Sequence, residues 1–178
     1  SYERKGGYRS DGLKPYIGNF KSDQVVEPGE VIVPYTDVTQ AADLIGRATL
    51  ARESSAFDTL VASLDVGIVR AYDEAVMPRE YLHQPLSSRS FVEHALSHTT
   101  GTTVLHLSKD AIPNYQMLLP NSDIVAKFES FVAPIRQNVF NLEKQSQGLA
   151  KVRDTLLPRL MSGELRVDEA RERVEDVT

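Results

Sequence analysis

The feature that most constrains this chain is a single apolar stripe near its C-terminal end. From Ile135 a 4-3-4-3 spacing runs through Val139, Leu142, Ser146, Leu149, Arg153, Leu156 and Leu160, and six of these eight positions are apolar. That repeat is helical, and Val152, Leu157 and Met161 widen the same face at its far end. Ser162-Gly163 supplies the stop, with Gly163 at the position where a left-handed residue usually ends a helix. A shorter helix is expected before it, started by Asn121-Ser122-Asp123 and lined by Ile124, Val125, Phe128, Phe131 and Val132. Pro134 either ends that shorter helix or sits in the first turn of the next. A helix from Pro134 to Met161 is roughly 40 Å long, as long as a small domain is wide. It is either a long core helix of one globule or one member of an antiparallel pair with another segment or chain. Ser146 and Arg153 inside the stripe count against a plain parallel coiled coil.

The rest of the chain reads as mixed α and β. Pro28-Gly29 is a turn feeding the β-branched run Glu30 to Tyr35. Further strands are expected at Ala48 to Ala51, Leu60 to Leu64 and Val66 to Ala71, with Gly67 as a bulge. A helix is expected from Pro78 through Tyr81, Leu82 and Leu86, and a second, capped by Ser87 or Ser88, carrying Phe91, Val92, Ala95 and Leu96. Thr99-Thr100-Gly101-Thr102 breaks that helix, Thr103 to Leu107 alternates as a strand, and Ser108 caps a turn.

Charge and composition narrow the function classes. The 178 residues are 41% hydrophobic and 25% charged, a globular balance. The absence of cysteine removes disulfides, thiolate zinc sites and thiol chemistry, and no apolar run is long enough to span a bilayer, so a cytoplasmic protein with no membrane association is expected. The chain begins with Ser1, so a processed or truncated start is expected. The net charge of −5 is uneven: Glu164 to Thr178 carries −3, leaving a nearly neutral body that can still present a basic face. No P-loop, no G-x-S-x-G elbow, no S-adenosylmethionine loop and no Asn/Asp-Pro-Pro-aromatic tetrapeptide is present. His94 and His98 have i, i+4 metal-pair spacing but lack a neighbouring glutamate or a third ligand, and Glu3-Arg4-Lys5 has a nuclease-like form without an upstream aspartate. Neither catalytic residues nor a metal or other cofactor is expected. The residues alone indicate a binding module.

The segment Leu149-Ala150-Lys151-Val152-Arg153-Asp154-Thr155-Leu156-Leu157-Pro158-Arg159-Leu160-Met161-Ser162-Gly163-Glu164-Leu165-Arg166-Val167 resembles the conserved helical region of the specificity subunit of type I restriction-modification systems. Upstream, Leu119-Pro120 and the helix after it resemble the family's passage into that region. Gly101-Thr102-Thr103-Val104, Pro28-Gly29-Glu30-Val31 and Thr36-Asp37-Val38-Thr39-Gln40 with Ile45-Gly46 are similar to stretches of its target-recognition domain. The resemblance implies a mixed α+β, or α/β, target-recognition domain with a short twisted sheet and flanking helices over residues 1–121. Residues 122–178 would form a helical spacer and dimerisation region with an acidic tail, projecting as a long helix that pairs antiparallel with a partner helix. The chain holds one such unit where the family has two, so the resemblance implies either a fragment or a half-subunit that pairs with itself. The implied partners are double-stranded DNA, the methyltransferase subunit and through it the restriction subunit, and a second recognition unit or copy of the chain.

If DNA is bound, side chains on loops and element ends are expected to hold it. Lys14, Tyr16 and Lys21 lie in the polar N-terminal segment, and Arg47, Arg52, Ser54 and Ser55 flank strands. Ser88 and Arg89 stand at a helix N-terminus, which favours phosphate. His98, Thr99, Thr100 and Thr102 surround Gly101, whose missing side chain would allow close approach. The expected helix interface is Ile135, Val139, Leu142, Leu149, Val152, Leu156 and Leu160. Two other functions compete: a helical adaptor without DNA readout, and a metal-dependent enzyme built on loop carboxylates and His94/His98.

Overall fold

The structure, a computed structural model, describes all residues except 1, 5, 10, 11, 40, 55 and 168–178. The fold is mixed α+β, and contacts divide the chain into two compact units, Ser1–Val132 and Ala133–Thr178.

The first unit is built on short antiparallel ladders. Strand β2 (Val31–Pro34) lies between β4 (Thr49–Leu50) and β6 (Val66–Val69), with Ile32 opposite both Thr49 and Ile68. All four β2 residues are buried, as a continuous β-branched run demands. Strand β1 (Val25–Val26) pairs with β5 (Leu60–Val61), while β3 (Thr36–Asp37), β8 (Leu105–Leu107) and β7 (Thr99–Thr100) form a third sheet in the order β3-β8-β7. Val26, Ile32, Ala51 and Ala62 form one apolar cluster, over which Tyr2, Tyr8, Leu60, Val66 and Ile68 pack. Helices α1 (Arg79–Leu86) and α2 (Arg89–Ser97) pack on each other and bury Leu82, Leu86, Phe91, Val92 and Ala95. Leu82 and Leu86 are i, i+4 on one face, and the Ser88 Oγ caps α2 by accepting the Phe91 N–H at 3.1 Å.

Helix α3 (Ser122–Met161) is a single 40-residue helix. Asn121 caps it, its Oδ1 accepting the Ile124 N–H at 3.0 Å. Pro134 therefore neither ends a helix nor begins one: it is interior, as is Pro158. A proline there leaves the carbonyl four residues back without its ladder donor, at a cost of ~3 kcal/mol. In its first turns α3 is held by packing within the first unit, where Val125 is buried and the Phe128 ring meets Tyr81 edge-on at 5.7 Å. In the second unit Gly163 takes φ +75°, its N–H bonds the Leu160 carbonyl, and the Leu165 N–H returns to the Arg159 carbonyl. Leu165 is buried by that reversal, which gives the Ser162-Gly163-Glu164-Leu165 motif a physical role as a helix stop.

Two local expectations are corrected. Gly67 is no bulge: it pairs in register with Val33, and a Cβ there would stand 2.5 Å from the Tyr35 ring. Thr99 and Thr100 do more than break a helix, since they form β7, with Thr99 opposite Leu107.

Candidate nucleic-acid interface

Two buried carboxylates organise the loops of the first unit. Asp37, fully buried, accepts from Thr39 N (2.7 Å) and Thr39 Oγ1 (2.6 Å) with one oxygen and from Leu44 N (2.6 Å) and Ile45 N (2.9 Å) with the other. Burial pushes its carboxyl up, but these four donors outweigh that and hold it below the usual range. The same loop presses Gly46 onto α2, where a Cβ would stand 2.6 Å from that of Ala95. Glu30 is buried and forms a two-point pair with Arg70, Nε to Oε1 at 2.6 Å and Nη2 to Oε2 at 3.2 Å. Arg70 also donates to the carbonyls of Asp23 and Val25, fastening the start of β1. Burial raises the Glu30 carboxyl, and Arg70 with the Glu27 N–H more than offsets it, so the group ends below its ordinary value.

The sequence candidates fall into four places. Lys14, Tyr16 and Lys21 are exposed on the N-terminal segment, with the Tyr16 hydroxyl donating to the Asn19 carbonyl at 3.2 Å. Lys14 and Tyr16 line a groove of about 580 Å³ together with Tyr2, Tyr8, Phe20 and Phe57. Arg47 and Arg52 are half-buried on either side of β4. The Arg52 Nη1 reaches the Leu50 carbonyl at 3.3 Å and its charge lies beside Tyr8, whose hydroxyl burial raises. Ser54 folds its own turn, accepting from the N–H groups of Ala56 and Phe57; Ser55 lies outside the described residues.

Ser88 is occupied as the α2 cap, its hydroxyl donating to the Pro85 carbonyl at 2.6 Å. Arg89 projects into solvent with 91% of its side chain exposed and pairs with Glu93 at 2.7 Å. His98, Thr99, Thr100, Gly101 and Thr102 lie at the opposite end of α2, about 13 Å away along its axis. The two groups are therefore not brought together. Gly101 has a backbone reason for its identity: φ is +99° and a Cβ would collide with the Val104 carbonyl oxygen in the β7–β8 turn.

The His94 and His98 rings lie with centroids 4.2 Å apart and planes tilted by 34°. His94 Nε2 faces the Ala111 carbonyl at 2.8 Å and His98 Nδ1 faces the His94 carbonyl at 2.9 Å, so each nitrogen donates there. Among the described residues no group of three or more His, Cys, Asp or Glu side chains is placed to hold a metal ion. No helix among them is long and apolar enough to cross a membrane.

Along α3 the stripe is open. Ile135, Val139, Leu142 and Leu149 are exposed, Leu142 by 63%, and Val152, Leu156 and Leu160 are half-buried. The same 3-4 spacing extends back through Val132, Phe128 and Val125, where the first unit covers it.

Sequence reasoning did not single out the Glu30–Arg70 pair or the aromatic groove. Nothing local links positions forty apart, whereas the closeness of Tyr2, Tyr8, Tyr16 and Phe20 in sequence is a readable signal.

No family model matches the chain. Two curated proteins are similar to it. The type I restriction enzyme MjaIX specificity subunit of Methanocaldococcus jannaschii is 44% identical over 69 residues, 39% of this chain and 16% of that protein. The type I restriction enzyme HindI specificity subunit of Haemophilus influenzae is 26% identical over 87 residues, 48% of this chain and 19% of that protein. The matches thus cover less than a fifth of either relative's length.

Proposed function

We propose that this chain is a non-catalytic DNA-recognition unit of the type I restriction specificity class, reading one half of a bipartite duplex target. Residues 1–121 carry the readout and residues 122–178 the assembly contacts. The observation that carries the reading is the 44% identity with the MjaIX specificity subunit. The open stripe of α3 supports the assembly role. Burying a Leu or Ile of that stripe is worth ~1.5–3 kcal/mol, partly offset by ordering and association costs, which leaves room for a stable helix pair. An antiparallel arrangement fits Ser146 and Arg153, because a parallel in-register pair would set each against its own copy and an antiparallel one separates them. The partner helix is a second copy or a second recognition unit, and the methyltransferase subunit docks on the helical region, with the restriction subunit held through it.

The test is a duplex-binding titration over a range of salt, with and without a methyltransferase subunit of this class. Binding that weakens steeply with salt and sharpens to one half-site sequence supports the reading. Co-purification with the methyltransferase subunit but no DNA contact would leave the adaptor reading, which the exposed stripe also favours.

A further inference from the structure

The N-terminal groove combines three properties that stand apart from the rest of the surface. Five of the chain's thirteen Tyr and Phe residues line it: Tyr2, Tyr8, Tyr16, Phe20 and Phe57. Among the described residues that line it, Lys14 is the one charged side chain, in a chain of net charge −5. Tyr2 presents a buried hydroxyl without a hydrogen-bond partner, and a buried orphan of this kind is uncommon.

The groove is also preorganised. Its floor is the cluster of Val26, Ile32, Ala51 and Ala62, on which Tyr2 and Tyr8 pack and pair through a backbone bridge. The Tyr16 ring stays 65% exposed, yet its hydroxyl is tied to the Asn19 carbonyl and the ring lies over Gly18, where any side chain would collide with it. An exposed ring fixed in this way is a stacking surface whose ordering cost has already been met within the fold.

We propose that this groove holds an unstacked nucleotide, its base against the tyrosine and phenylalanine rings and its phosphate on Lys14. Aromatic walls accept any base face, and the Lys14 ammonium at their edge attracts an anion. A single-stranded DNA segment and a free nucleotide share this chemistry. The inference deepens the DNA reading and rests on it for a DNA source of the nucleotide.

The absence of tryptophan leaves tyrosine emission as a direct probe. The full chain is titrated with a single-stranded oligothymidylate of about twelve nucleotides, with thymidine monophosphate, and with a blunt duplex. Quenching by the oligonucleotide is expected, weakened about tenfold by Tyr16→Ala and retained in Tyr16→Phe, which keeps the ring. Lys14→Gln is expected to weaken binding and flatten its salt dependence. Tyr16 is outside the core, so circular dichroism of Tyr16→Ala should match the parent. Saturation by the monophosphate at comparable affinity identifies a free nucleotide as the ligand, and oligonucleotide binding alone identifies a strand; both uphold the inference. Single-strand binding unchanged in Tyr16→Ala and Lys14→Gln, or no binding of either probe, overturns it. Duplex binding with unaltered single-strand behaviour sinks this inference alone, whereas groove binding without duplex binding sinks the DNA-target reading and leaves the groove standing.

Discussion

At the scale of single residues, the loops of the first unit depend on two buried carboxylates, Asp37 and Glu30. Asp37→Ala removes the acceptor for three backbone N–H groups and the Thr39 hydroxyl, so a loss of ~2–4 kcal/mol is expected, measured by urea unfolding. Asp37 and Glu30 both have depressed carboxyl values in the folded protein. A group depressed on folding contributes stability that is present above the unfolded-state carboxyl range and is lost as pH falls through the folded value. Stability should therefore decline below about pH 4, with a shallower decline in Asp37→Asn, checked by thermal melts across pH. Gly101→Ala forces a side chain onto a backbone at φ +99° and into the Val104 carbonyl, so the β7–β8 hairpin should open. Faster amide hydrogen exchange at Thr99 to Leu107 is the readout.

At the scale of elements, α3 divides into a stretch covered by its own unit and a stretch left open. The apolar repeat is continuous across both, but Val125 is buried and Phe128 lies against Tyr81, whereas Leu142 and Leu149 face solvent. Leu142→Asp with Leu149→Asp should leave a monomer that retains the fold of residues 1 to 120. Sedimentation at micromolar concentration together with near-ultraviolet circular dichroism checks this, and a wild type that is monomeric there would remove self-association from the proposal. Pro134→Ala restores an N–H for the Ser130 carbonyl and should stabilise the helix by up to ~3 kcal/mol, read as a higher thermal midpoint. The proline shows how much sequence punctuation a long helix tolerates. A missing ladder bond is a local cost, and packing within the first unit and good helix-forming residues on both sides outweigh it.

At the scale of the whole molecule, the proposal assigns DNA choice to residues 1–121 and the distance between half-sites to the helix. Deleting one heptad, residues 140–146, shortens a helix by about 10 Å and keeps the stripe in phase, which corresponds to roughly three base pairs. A library selection should then return the same half-site bases at altered spacing; altered bases at constant spacing would show that the helix is not a ruler. Arg89 is the cleaner base-contact test because it is exposed, whereas Arg52 reaches the Leu50 carbonyl and sits beside Tyr8. Arg89→Ala is expected to weaken one half-site by ~1–3 kcal/mol if the contact is bidentate to guanine.

What the sequence determined by itself is whatever rests on local periodicity and local chemistry. The buried run Val31–Pro34, the two short helices with a cap at Ser87 or Ser88, a helix start at Asn121, a helix stop at Gly163 and the apolar stripe between them all follow from residue spacing, because i, i+2 and i, i+4 neighbours meet without long-range information. The tertiary structure decided everything that joins distant positions. It paired Glu30 with Arg70 and pressed Gly46 onto α2. It assigned Gly67 to the Tyr35 ring and Gly101 to a backbone turn, and it spread the candidate DNA residues over the two ends of α2, the flanks of β4 and the N-terminal segment. A carboxylate's partner, or the surface a glycine must clear, is fixed only when the chain folds back on itself, and no spacing along the chain encodes it.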